Sequence, residues 1–328
     1  MIDTTTRQLL IVLLALVSHC FASGAFAQDD FPSRPIVIVI PFPPGGSADV
    51  VMRPVAQRMS ESIKQTVIID NRPGGAGNVG AMAVKLATPD GYTLFMGNTG
   101  THAINPALFD NLRFDPVKDF QPITLLVEAP SLLVVPADSV ATTAAELAAL
   151  AKSKPSGLVY ASQGIGSGGH LLAEMFRSKV GAPMVHVPYR GAAAAVQDLV
   201  AGRVDFLFAP YLSAGPQIEA GKLRMLGASA KKRAALLPAV PTMAEAGFAG
   251  VELDFWHGVL APAGLPVPIL NILHRALSEA VRAPELTRLM ISQGADIVIC
   301  SPEEFATRIA SDRARLGEAV RQAGAKAE

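Results

Sequence analysis

Cysteine is scarce in this chain: its 328 residues include only Cys20 and Cys300. Cys20 lies in an N-terminal segment that we expect to be removed, which leaves Cys300 without an intrachain partner. No intrachain disulfide is then possible, even in an oxidising compartment. The fold must therefore depend on an apolar core. Roughly 300 mature residues, half of them apolar, are ample for one, and this length favours two domains over one.

Long hydrophobic runs and an excess of charge are also absent. The apolar run Leu9 to Val17 has nine residues, and no later run reaches the roughly 18 to 20 that a membrane-spanning helix needs. Lysine plus arginine number 28, aspartate plus glutamate also number 28, and the chain has no basic tract or acidic tail. The balance of charge argues against nucleic acid as a partner.

The short apolar run is instead typical of a secretory signal peptide. Arg7 precedes it, and Ala25-Phe26-Ala27 follows it as a cleavage site of small residues. We predict a signal peptide at residues 1–27 and an exported mature protein. Lipid attachment at Cys20 is the alternative, but His19 is not the small residue that usually precedes a lipidated cysteine, so we favour cleavage after Ala27.

Strand-like apolar runs alternate with helical patterns through most of the chain, which predicts an α/β fold with a mostly parallel sheet covered on both faces. The predicted strands are Ile36 to Ile40, Val67 to Ile69, Thr93 to Met96, Leu132 to Val135, Leu158 to Ala161, Val185 to Val187, Val204 to Phe208 and Met225 to Ala228. The predicted helices are Ala48 to Ile63, Gly77 to Ala87, Ala144 to Ser153, Gly169 to Val180, Ala192 to Ala201, Pro266 to Val281, Pro284 to Gln293 and Pro302 to Ala323.

Two long extended stretches that contain proline, Ile123 to Pro136 and Val251 to Gly264, suggest strands that pass between two lobes. On this hypothesis residues 28–126 and 251–328 form a discontinuous lobe I, and residues 127–250 form an inserted lobe II. Hinges would lie near Val127 and Val251. The alternative is that both stretches are edge strands of a single sheet.

Two glycine-rich loops each join a buried strand to a helix. The first follows the strand ending at Ile40 and reads PFPPGGSAD, and the second follows the strand ending at Ala161 and reads SQGIGSGGH. The first amide N–H groups of a helix lack intrahelical partners and carry the positive end of its dipole, so such loops bind anions. Because the only charges in the loops and the helix starts beside them are Asp49 and Glu174, an anion there must be held by N–H groups, hydroxyls and water.

The strength of these interactions indicates that both loops hold one ligand. One helix end contributes roughly 0.3 to 2 kcal/mol, whereas micromolar binding needs about 8 kcal/mol. Several hydrogen bonds to a charged group, each worth roughly 1.5 to 3 kcal/mol, reach that range when two lobes close on the ligand. The candidate binding residues are Phe42, Pro43, Gly45, Gly46, Ser47, Asp49, Asn98, Thr99, His102, Ser162, Gly164, Gly166, Ser167, Gly168, His170, Tyr189, Arg190 and Asp205.

Several of these candidates have a purely structural alternative. Ser47 and Ser167 can act only as helix N-caps. Arg190 can be a solvated surface charge, His102 a buried structural imidazole, and Phe42 a core side chain.

Three other motifs do not predict a site. Gly75, Gly77 and Gly80 match GxGxxG, but the next strand ends at Met96 without the acidic residue that binds a ribose. His170 and Glu174 share a helix face, but no cluster of histidine or cysteine completes a metal site. No lipase-type elbow surrounds Ser167, because isoleucine replaces the first glycine. We therefore expect no catalytic residues, no cofactor and no metal ion.

The mature sequence resembles the Bug family, the TctC-like extracytoplasmic solute receptors of tripartite tricarboxylate transporters. The motifs that carry the resemblance are SRPIVIVIPFPPGGSADV, DNRPGGAGNVGA, ATPDGYTLFMGNTGTHAINPAL, DPVKDFQPITLL, YASQGIGSGGHLLAEMF, HVPYRGAAAAVQDLVAGRVDFLF and WHGVLAPAGLP. The resemblance implies a periplasmic binding protein of type II, the hinged two-lobe Venus flytrap, with Phe42 to Asp49 and Ser162 to His170 as its binding loops. Pro54 departs from the family pattern, and we expect it to tilt the first helix.

The resemblance also implies the function and the partners. We expect a monomeric receptor that captures a small carboxylate and delivers it to a membrane permease of the tripartite tricarboxylate type. One alternative is a ligand sensor without a dedicated transporter. The other is an exported α/β hydrolase that uses Ser167 with His170.

Overall fold

The structure is a computed structural model that describes residues 31–234 and 236–323. The predicted signal peptide at residues 1–27, its cleavage site and Cys20 lie outside the described residues. Within the described part of the chain, no helix has both the length and the apolar composition needed to cross a membrane.

Strands and helices alternate along the chain, as the sequence pattern predicts. The strands are β1 (Ile36–Ile40), β2 (Val67–Asn71), β3 (Thr93–Asn98), β4 (Phe120–Pro136), β5 (Leu158–Ser162), β6 (Met184–Pro188), β7 (Phe206–Pro210), β8 (Leu223–Ala228), β9 (Asp254–Pro262) and β10 (Asp296–Ile297). The helices are α1 (Ser47–Ile63), α2 (Asn78–Lys85), α3 (Asn105–Leu108), α4 (Ala144–Ser153), α5 (Gly168–Val180), α6 (Ala192–Val200), α7 (Tyr211–Glu219), α8 (Val267–Val281), α9 (Pro284–Ser292) and α10 (Pro302–Ala323). A 3₁₀ turn at Gly75–Gly77 precedes α2, and a π-helical turn at Gly100–Ile104 precedes α3.

The strands form two sheets that share the long strand β4. In the first sheet β1 pairs in parallel with β2 and β3, and β9 lies antiparallel between β3 and the first half of β4. In the second sheet β5 pairs in parallel with β6 and β7, while β7 and β8 run antiparallel to the second half of β4. The α/β class is confirmed, and the sheet is mixed because β4 and β9 run against their neighbours.

Apolar side chains of the second sheet alternate between its two faces. Leu133 and Val135 of β4 belong to one buried cluster, while Leu132 and Val134 belong to another. Successive side chains of a strand point to opposite faces, so both faces of this sheet are buried. The first sheet packs around a third cluster that includes Trp256, the single tryptophan, which is fully buried.

The shared strand bears on the predicted two-lobe division. Apart from β4, the strands of the first sheet lie within residues 36–98 and 254–297, and those of the second lie within residues 158–228. The division into lobe I (28–126 and 251–328) and lobe II (127–250), with hinges near Val127 and Val251, stays a prediction.

Two elements differ from the sequence prediction in ways that affect the site. The strand predicted from Val204 begins at Phe206 and extends to Pro210, and helix α7, which follows it directly, was not predicted. Helix α1 is continuous from Ser47 to Ile63 with Pro54 inside it, and the tilt expected from this proline stays a prediction.

Candidate ligand-binding cavity

A cavity of about 200 Å³ lies where the carboxyl ends of β1, β5 and β7 meet the starts of the helices that follow them. An engineered cavity of about 150 Å³ binds benzene, so this volume accepts a small organic molecule. Ligands of α/β proteins bind at the carboxyl ends of parallel strands. The cavity is lined by Phe42, Pro43, Pro44, Gly46, Ser47, Ala48, Ala76, Asn98, Gly100, Ser131, Gln163, Ile165, Gly166, Ser167, Gly169, Arg190, Gly191, Ala192, Ala193, Ala194, Pro210, Ser213 and Phe255.

The carboxylate of Asp49 holds the first glycine-rich loop in place through hydrogen bonds. Its carboxylate accepts hydrogen bonds from the Gly45 N–H (3.0 Å), from Arg53 Nε (2.7 Å) and from Asn71 Nδ2 (3.1 Å). Burial acts to raise the pKa of Asp49, but the bonds from Arg53, Gly45 and Asn71 outweigh it, so the pKa is lowered. Asp49 is therefore charged and accepts three hydrogen bonds, and it supports the loop without being among the lining residues.

Ser47, the first residue of α1, presents a hydroxyl in the cavity wall. Its oxygen lies 3.1 Å from Nε2 of His257 on β9. His257 is 2% exposed, and burial lowers its pKa to about 3, so the imidazole is neutral near pH 7. A neutral ring beside Ser47 places no positive charge there.

Asn98, at the carboxyl end of β3, adds an amide to the same wall. Its Oδ1 accepts from the Thr101 N–H (2.9 Å), which fixes the orientation of the amide because a backbone N–H can only donate. Within the described part of the chain, the Nδ2 of Asn98 donates no hydrogen bond. This N–H₂ group can therefore donate to a ligand.

The second glycine-rich loop reaches the cavity through the N-terminus of α5. Ser167 is the N-cap, and its Oγ accepts from the His170 N–H (3.2 Å), which leaves its own O–H free to donate. The Gly166 N–H donates to His170 Nδ1 (3.3 Å), so this ring nitrogen carries no proton. His170 thus holds the loop from within the protein, and burial lowers the pKa of its ring.

Gly166 allows this loop to pack against the side of the cavity that carries the first loop. It has φ +80°, and a Cβ atom at this position would lie 2.5 Å from Asn105 Oδ1 and 3.0 Å from Leu108 Cδ2. Only glycine fits both the backbone conformation and the space. Residues of both glycine-rich loops line the same cavity.

A polar network beneath the second loop occupies the groups that a metal ion would need. The rings of His170 and His186 stack with centroids 4.2 Å apart, and His186 Nε2 lies 2.7 Å from Ser162 Oγ. Glu174 accepts from the Tyr160 hydroxyl and pairs with Arg177. Across residues 31–234 and 236–323, no group of three His, Cys, Asp or Glu side chains is placed to hold a metal ion.

Two further helices begin at the cavity. Gly191 to Ala194, at the start of α6, line one part of it, and Pro210 and Ser213, at the start of α7, line another. With α1 and α5, four helices of nine or more residues have their N-cap or first-turn residues in the lining of one cavity. The summed dipoles make the cavity favourable for an anion.

The side chains that line the cavity are mostly apolar, and among them Arg190 is the only charged one within the described residues. Arg190 is exposed, and in the described part of the chain it forms no ion pair or hydrogen bond. The rings of Phe42 and Phe255 and a row of alanines form much of the remaining surface. No carboxylate of the described residues is among the lining groups.

The structure places eight of the predicted binding residues at the cavity: Phe42, Pro43, Gly46, Ser47, Asn98, Gly166, Ser167 and Arg190. It places ten others outside the lining: Gly45, Asp49, Thr99, His102, Ser162, Gly164, Gly168, His170, Tyr189 and Asp205. A role in binding stays a prediction for all of them.

Several of the ten have other contacts that explain their position. Asp205 precedes β7 and accepts from the Val159 N–H (2.6 Å), at the opposite end of the strand from the cavity. Thr99 Oγ1 accepts from the Trp256 N–H (2.9 Å). The Tyr189 hydroxyl donates to Asp198 (2.7 Å).

His102 packs among aromatic rings in the core of the first sheet. It is fully buried, with Phe120 at 5.1 Å and Phe95 at 5.7 Å between ring centroids, and burial lowers its pKa to about 3. His102 is thus a buried imidazole of this core, and a role for it in binding stays a prediction.

The sequence analysis named neither Ser131, Ser213 nor Phe255, and Gln163 lies within the predicted loop Ser162 to His170 without being a candidate itself. Ser131 is the one hydroxyl in the apolar run SLLVV, which was a usable signal. Ser213 lies in a helix with Gly215 and Pro216, so neither a glycine-rich loop nor a helical pattern identified it.

The chain is similar to known proteins over almost its whole length. The sequence profile of the "Tripartite tricarboxylate transporter family receptor" matches residues 51–325. A "UPF0065 protein in tcbD-tcbE intergenic region" of Pseudomonas sp. (strain P51) is 37% identical over 310 residues, covering 94% of this chain and 92% of that protein. Protein BugT of Bordetella pertussis is 33% identical over 319 residues, covering 96% and 98%.

Solved structures have the same fold. The periplasmic binding protein BugD has a TM-score of 0.86 at 31% identity, covering 91% of this chain and 100% of its own. Rpa4515 of R. palustris, solved with adipate, has a TM-score of 0.86 at 34% identity, covering 90% and 99%. MatC (Rpa3494) from Rhodopseudomonas palustris, solved with malate, has a TM-score of 0.85 at 32% identity, covering 88% and 100%.

Proposed function

The chain belongs to the tripartite tricarboxylate transporter receptor family, TctC, and from this we propose that it is a periplasmic receptor that binds a small carboxylate in the cavity and delivers it to a membrane permease. The family match covers residues 51–325, so it includes the second glycine-rich loop, whereas the first loop ends at Asp49, before the match begins. Adipate and malate in two related structures support a carboxylate as the ligand class.

The observation that carries the proposal is the convergence of four helix N-termini on a cavity whose described lining contains no carboxylate. Free N–H groups, the Ser47 and Ser167 hydroxyls and the Asn98 amide all donate, and donors favour an anion. Hydrogen bonds to a charged group contribute roughly 1.5 to 3 kcal/mol each, so four or five of them are enough for the roughly 8 kcal/mol of micromolar binding.

The contacts of Ser167 and His170 favour binding over catalysis. A hydrolase would need the imidazole to take a proton from the serine hydroxyl. In the described part of the chain, the ring of His170 has no hydrogen bond to Ser167, and its Nδ1 instead accepts from the Gly166 N–H at 3.3 Å. The ring also stacks on His186.

The test is titration calorimetry on protein purified from the periplasm, against mono-, di- and tricarboxylates, amino acids and aromatic acids. We expect one or a few carboxylates to bind with micromolar affinity and with no turnover. Mass spectrometry of ligand that copurifies identifies the natural compound. If every acid in the panel fails to bind to folded protein, the proposal is wrong.

Delivery to a permease is tested in cells. We expect uptake of the bound carboxylate to fall when the gene is deleted and to recover when the gene is restored. Normal uptake in the deletion strain, combined with loss of a transcriptional response to the compound, would instead support the sensor hypothesis.

A further inference from the structure

A third glycine-rich segment, residues 73–78, reaches the cavity between β2 and α2. It contains two glycines of the GxGxxG match, and we call it the third glycine-rich loop. Ala76 in this loop has φ 55° and ψ 31°, which is the left-handed region that alanine rarely adopts. Ala76 also lines the cavity. Strained residues of this kind persist only where surrounding contacts hold them, and they cluster at ligand-binding sites.

Asn105, the first residue of α3, provides such a contact. Its side-chain Nδ2 donates to the carbonyl oxygen of Ala76 (3.0 Å) and to Oδ1 of Asn78 (2.7 Å), the first residue of α2. Because a carbonyl oxygen can only accept, the amide has one orientation, with Nδ2 toward the third glycine-rich loop. Asn105 is fully buried. One side chain therefore holds both the strained alanine and the helix start that follows it.

The oxygen of the same amide faces the second glycine-rich loop. A Cβ atom added at Gly166 would lie 2.5 Å from Asn105 Oδ1 and 3.0 Å from Leu108 Cδ2. It would also lie 3.4 Å from the Cβ of Ala76, and a Cβ added at Gly100 would lie 3.2 Å from the Gly166 carbonyl oxygen. Within the described residues, Asn105 Oδ1 is buried without a hydrogen-bonding partner. We call Ala76, Gly100, Asn105 and Leu108 the seat of Gly166.

The seat affects the cavity because Ser167 follows Gly166 directly. Ser167 is the N-cap of α5, and both residues line the cavity. The Gly166 N–H donates to His170 Nδ1 at 3.3 Å, which is longer than the roughly 2.7 to 3.2 Å of a typical hydrogen bond from an N–H group. The position of this loop therefore depends on packing against the seat as well as on hydrogen bonds.

We propose that Asn105 is a positioning residue for ligand binding, because it holds Ala76 in the left-handed conformation that shapes the seat of Gly166. Its effect on affinity rests on the proposed function. Asn105 is not among the residues that line the cavity. It acts through the third and second glycine-rich loops, which it joins, and not through contact with the ligand.

Hydrogen exchange of the protein without ligand, followed by mass spectrometry, tests the positioning role. In Asn105→Ala we expect amides of residues 163–170 to exchange at least about tenfold faster, because this loop opens locally, while amides of α8 keep their wild-type rates. Asn105→Asp keeps the size of the side chain, but its carboxylate cannot donate to the Ala76 carbonyl. The same increase is expected there, so the test stands even if Asn105→Ala does not fold.

Thr124→Val is the matched control. Thr124 is also fully buried, its Oγ1 donates to the Cys300 carbonyl oxygen (2.9 Å), and it lies outside the cavity lining. Valine keeps the shape and removes this bond between a side chain and the backbone. We expect wild-type exchange at residues 163–170 in Thr124→Val.

A rescue variant tests whether Asn105 acts through Ala76. The probes are adipate and malate, titrated by calorimetry into folded protein. We expect Asn105→Ala to weaken binding at least about tenfold, the equivalent of a hydrogen bond lost at the site. Glycine adopts the conformation of Ala76 without strain, so Ala76→Gly should recover at least about threefold of the affinity lost in Asn105→Ala. In the wild-type background we expect it to change affinity by less than about threefold.

Three results would overturn the inference and leave the proposed function standing. They are unchanged exchange at residues 163–170 in the folded Asn105 variants, wild-type affinity in Asn105→Ala, and no recovery when Ala76→Gly is added. If no acid of the wider panel binds to the wild type, the proposed function is wrong. The exchange rates still decide whether Asn105 positions the second glycine-rich loop, because that measurement needs no ligand.

Discussion

The Nε2 atom of His257 lies 3.1 Å from the hydroxyl oxygen of Ser47, and in the described residues the other ring nitrogen, Nδ1, has no hydrogen-bonding partner. Because burial keeps the ring neutral, it carries one proton. A buried N–H without a partner is rarer than a buried acceptor without one, which favours the proton on Nε2. The ring then donates to Ser47, and the Ser47 O–H is free to donate to the ligand.

This relationship makes His257 a positioning residue for Ser47. We expect His257→Leu to weaken carboxylate binding by roughly 10- to 150-fold, the equivalent of one hydrogen bond to a charged group at about 1.5 to 3 kcal/mol. His257→Gln keeps an N–H donor at a similar distance from the backbone and should restore most of the affinity. Calorimetry measures both, after circular dichroism has shown that each variant is folded. Equal weakening by glutamine and leucine would mean that His257 contributes only packing.

Gly46 offers a direct test of the first loop, because alanine fits its backbone without strain. Its φ is −78°, and a Cβ atom there would meet only the Pro43 carbonyl oxygen, at 3.6 Å. We expect Gly46→Ala to lower carboxylate affinity at least tenfold, since the methyl group occupies space beside the first N–H groups of α1. Stability should change by less than about 0.5 kcal/mol.

The matched control for Gly46 is Gly317→Ala in α10. A Cβ at Gly317 makes ordinary contacts, 3.5 Å from Ala107 Cβ, and the residue lies outside the cavity lining. We expect Gly317→Ala to bind the carboxylate with wild-type affinity. If Gly46→Ala also binds normally, the ligand does not approach this loop.

Ser167 is the N-cap of α5 and also a predicted ligand-binding hydroxyl. Comparing it with a second N-cap, Thr143, separates these two roles. Ser167→Ala removes the N-cap of α5, and Thr143→Ala removes the N-cap of α4, where Thr143 accepts from the Glu146 N–H (3.1 Å). Each should lose about 1 kcal/mol of unfolding free energy. Only Ser167→Ala should also lose carboxylate affinity, about tenfold, because Thr143 does not line the cavity. Loss of affinity in both variants, or in neither, would show that the Ser167 hydroxyl does not bind the ligand.

Local sequence identified two of the four helix starts at the cavity as glycine-rich, anion-binding loops. Both glycine-rich loops follow an apolar strand and precede a helical pattern, so Gly46 and Ser167 were identified before the fold was known. The start of α6 has the same strand-to-helix order, but its alanines carry no polar signal. Its role depends on the arrangement of the second sheet.

The start of α7 could not be predicted because the local sequence opposes a helix. Gly215 and Pro216 both lower helix propensity. In the structure, a Cβ at Gly215 would lie 2.8 Å from Cε1 of Tyr211, so the glycine makes room for that ring. Tertiary packing therefore determines that helix α7 forms here, and this places Ser213 at the cavity.

The choice of Asp205 shows the importance of strand direction. The sequence predicted a strand from Val204 to Phe208 and a binding loop nearby, but the strand runs from Phe206 to Pro210. Asp205 therefore lies at the amino end, and Pro210 lies at the carboxyl end, where the cavity is. Asp205 also lies near the amino end of the predicted strand, so strand direction applied to the sequence would have placed it away from the edge where the cavity lies.

His102 and His257 make the stability of the protein depend on pH. Burial lowers the pKa of both side chains from 6.5 to about 3. Between about pH 6.5 and pH 3 the unfolded chain binds protons on these residues that the folded protein does not, so the free energy of unfolding falls as the pH falls through this range. Each histidine contributes a slope of up to about 1.4 kcal/mol per pH unit.

His102→Asn, which keeps a polar group near Thr101, tests this contribution. Between pH 6 and pH 5 its free energy of unfolding should therefore fall by about 1 kcal/mol less than that of the wild type. Urea unfolding followed by the fluorescence of the single tryptophan, Trp256, measures this difference, and identical slopes in the two proteins would mean that His102 is protonated in the folded state.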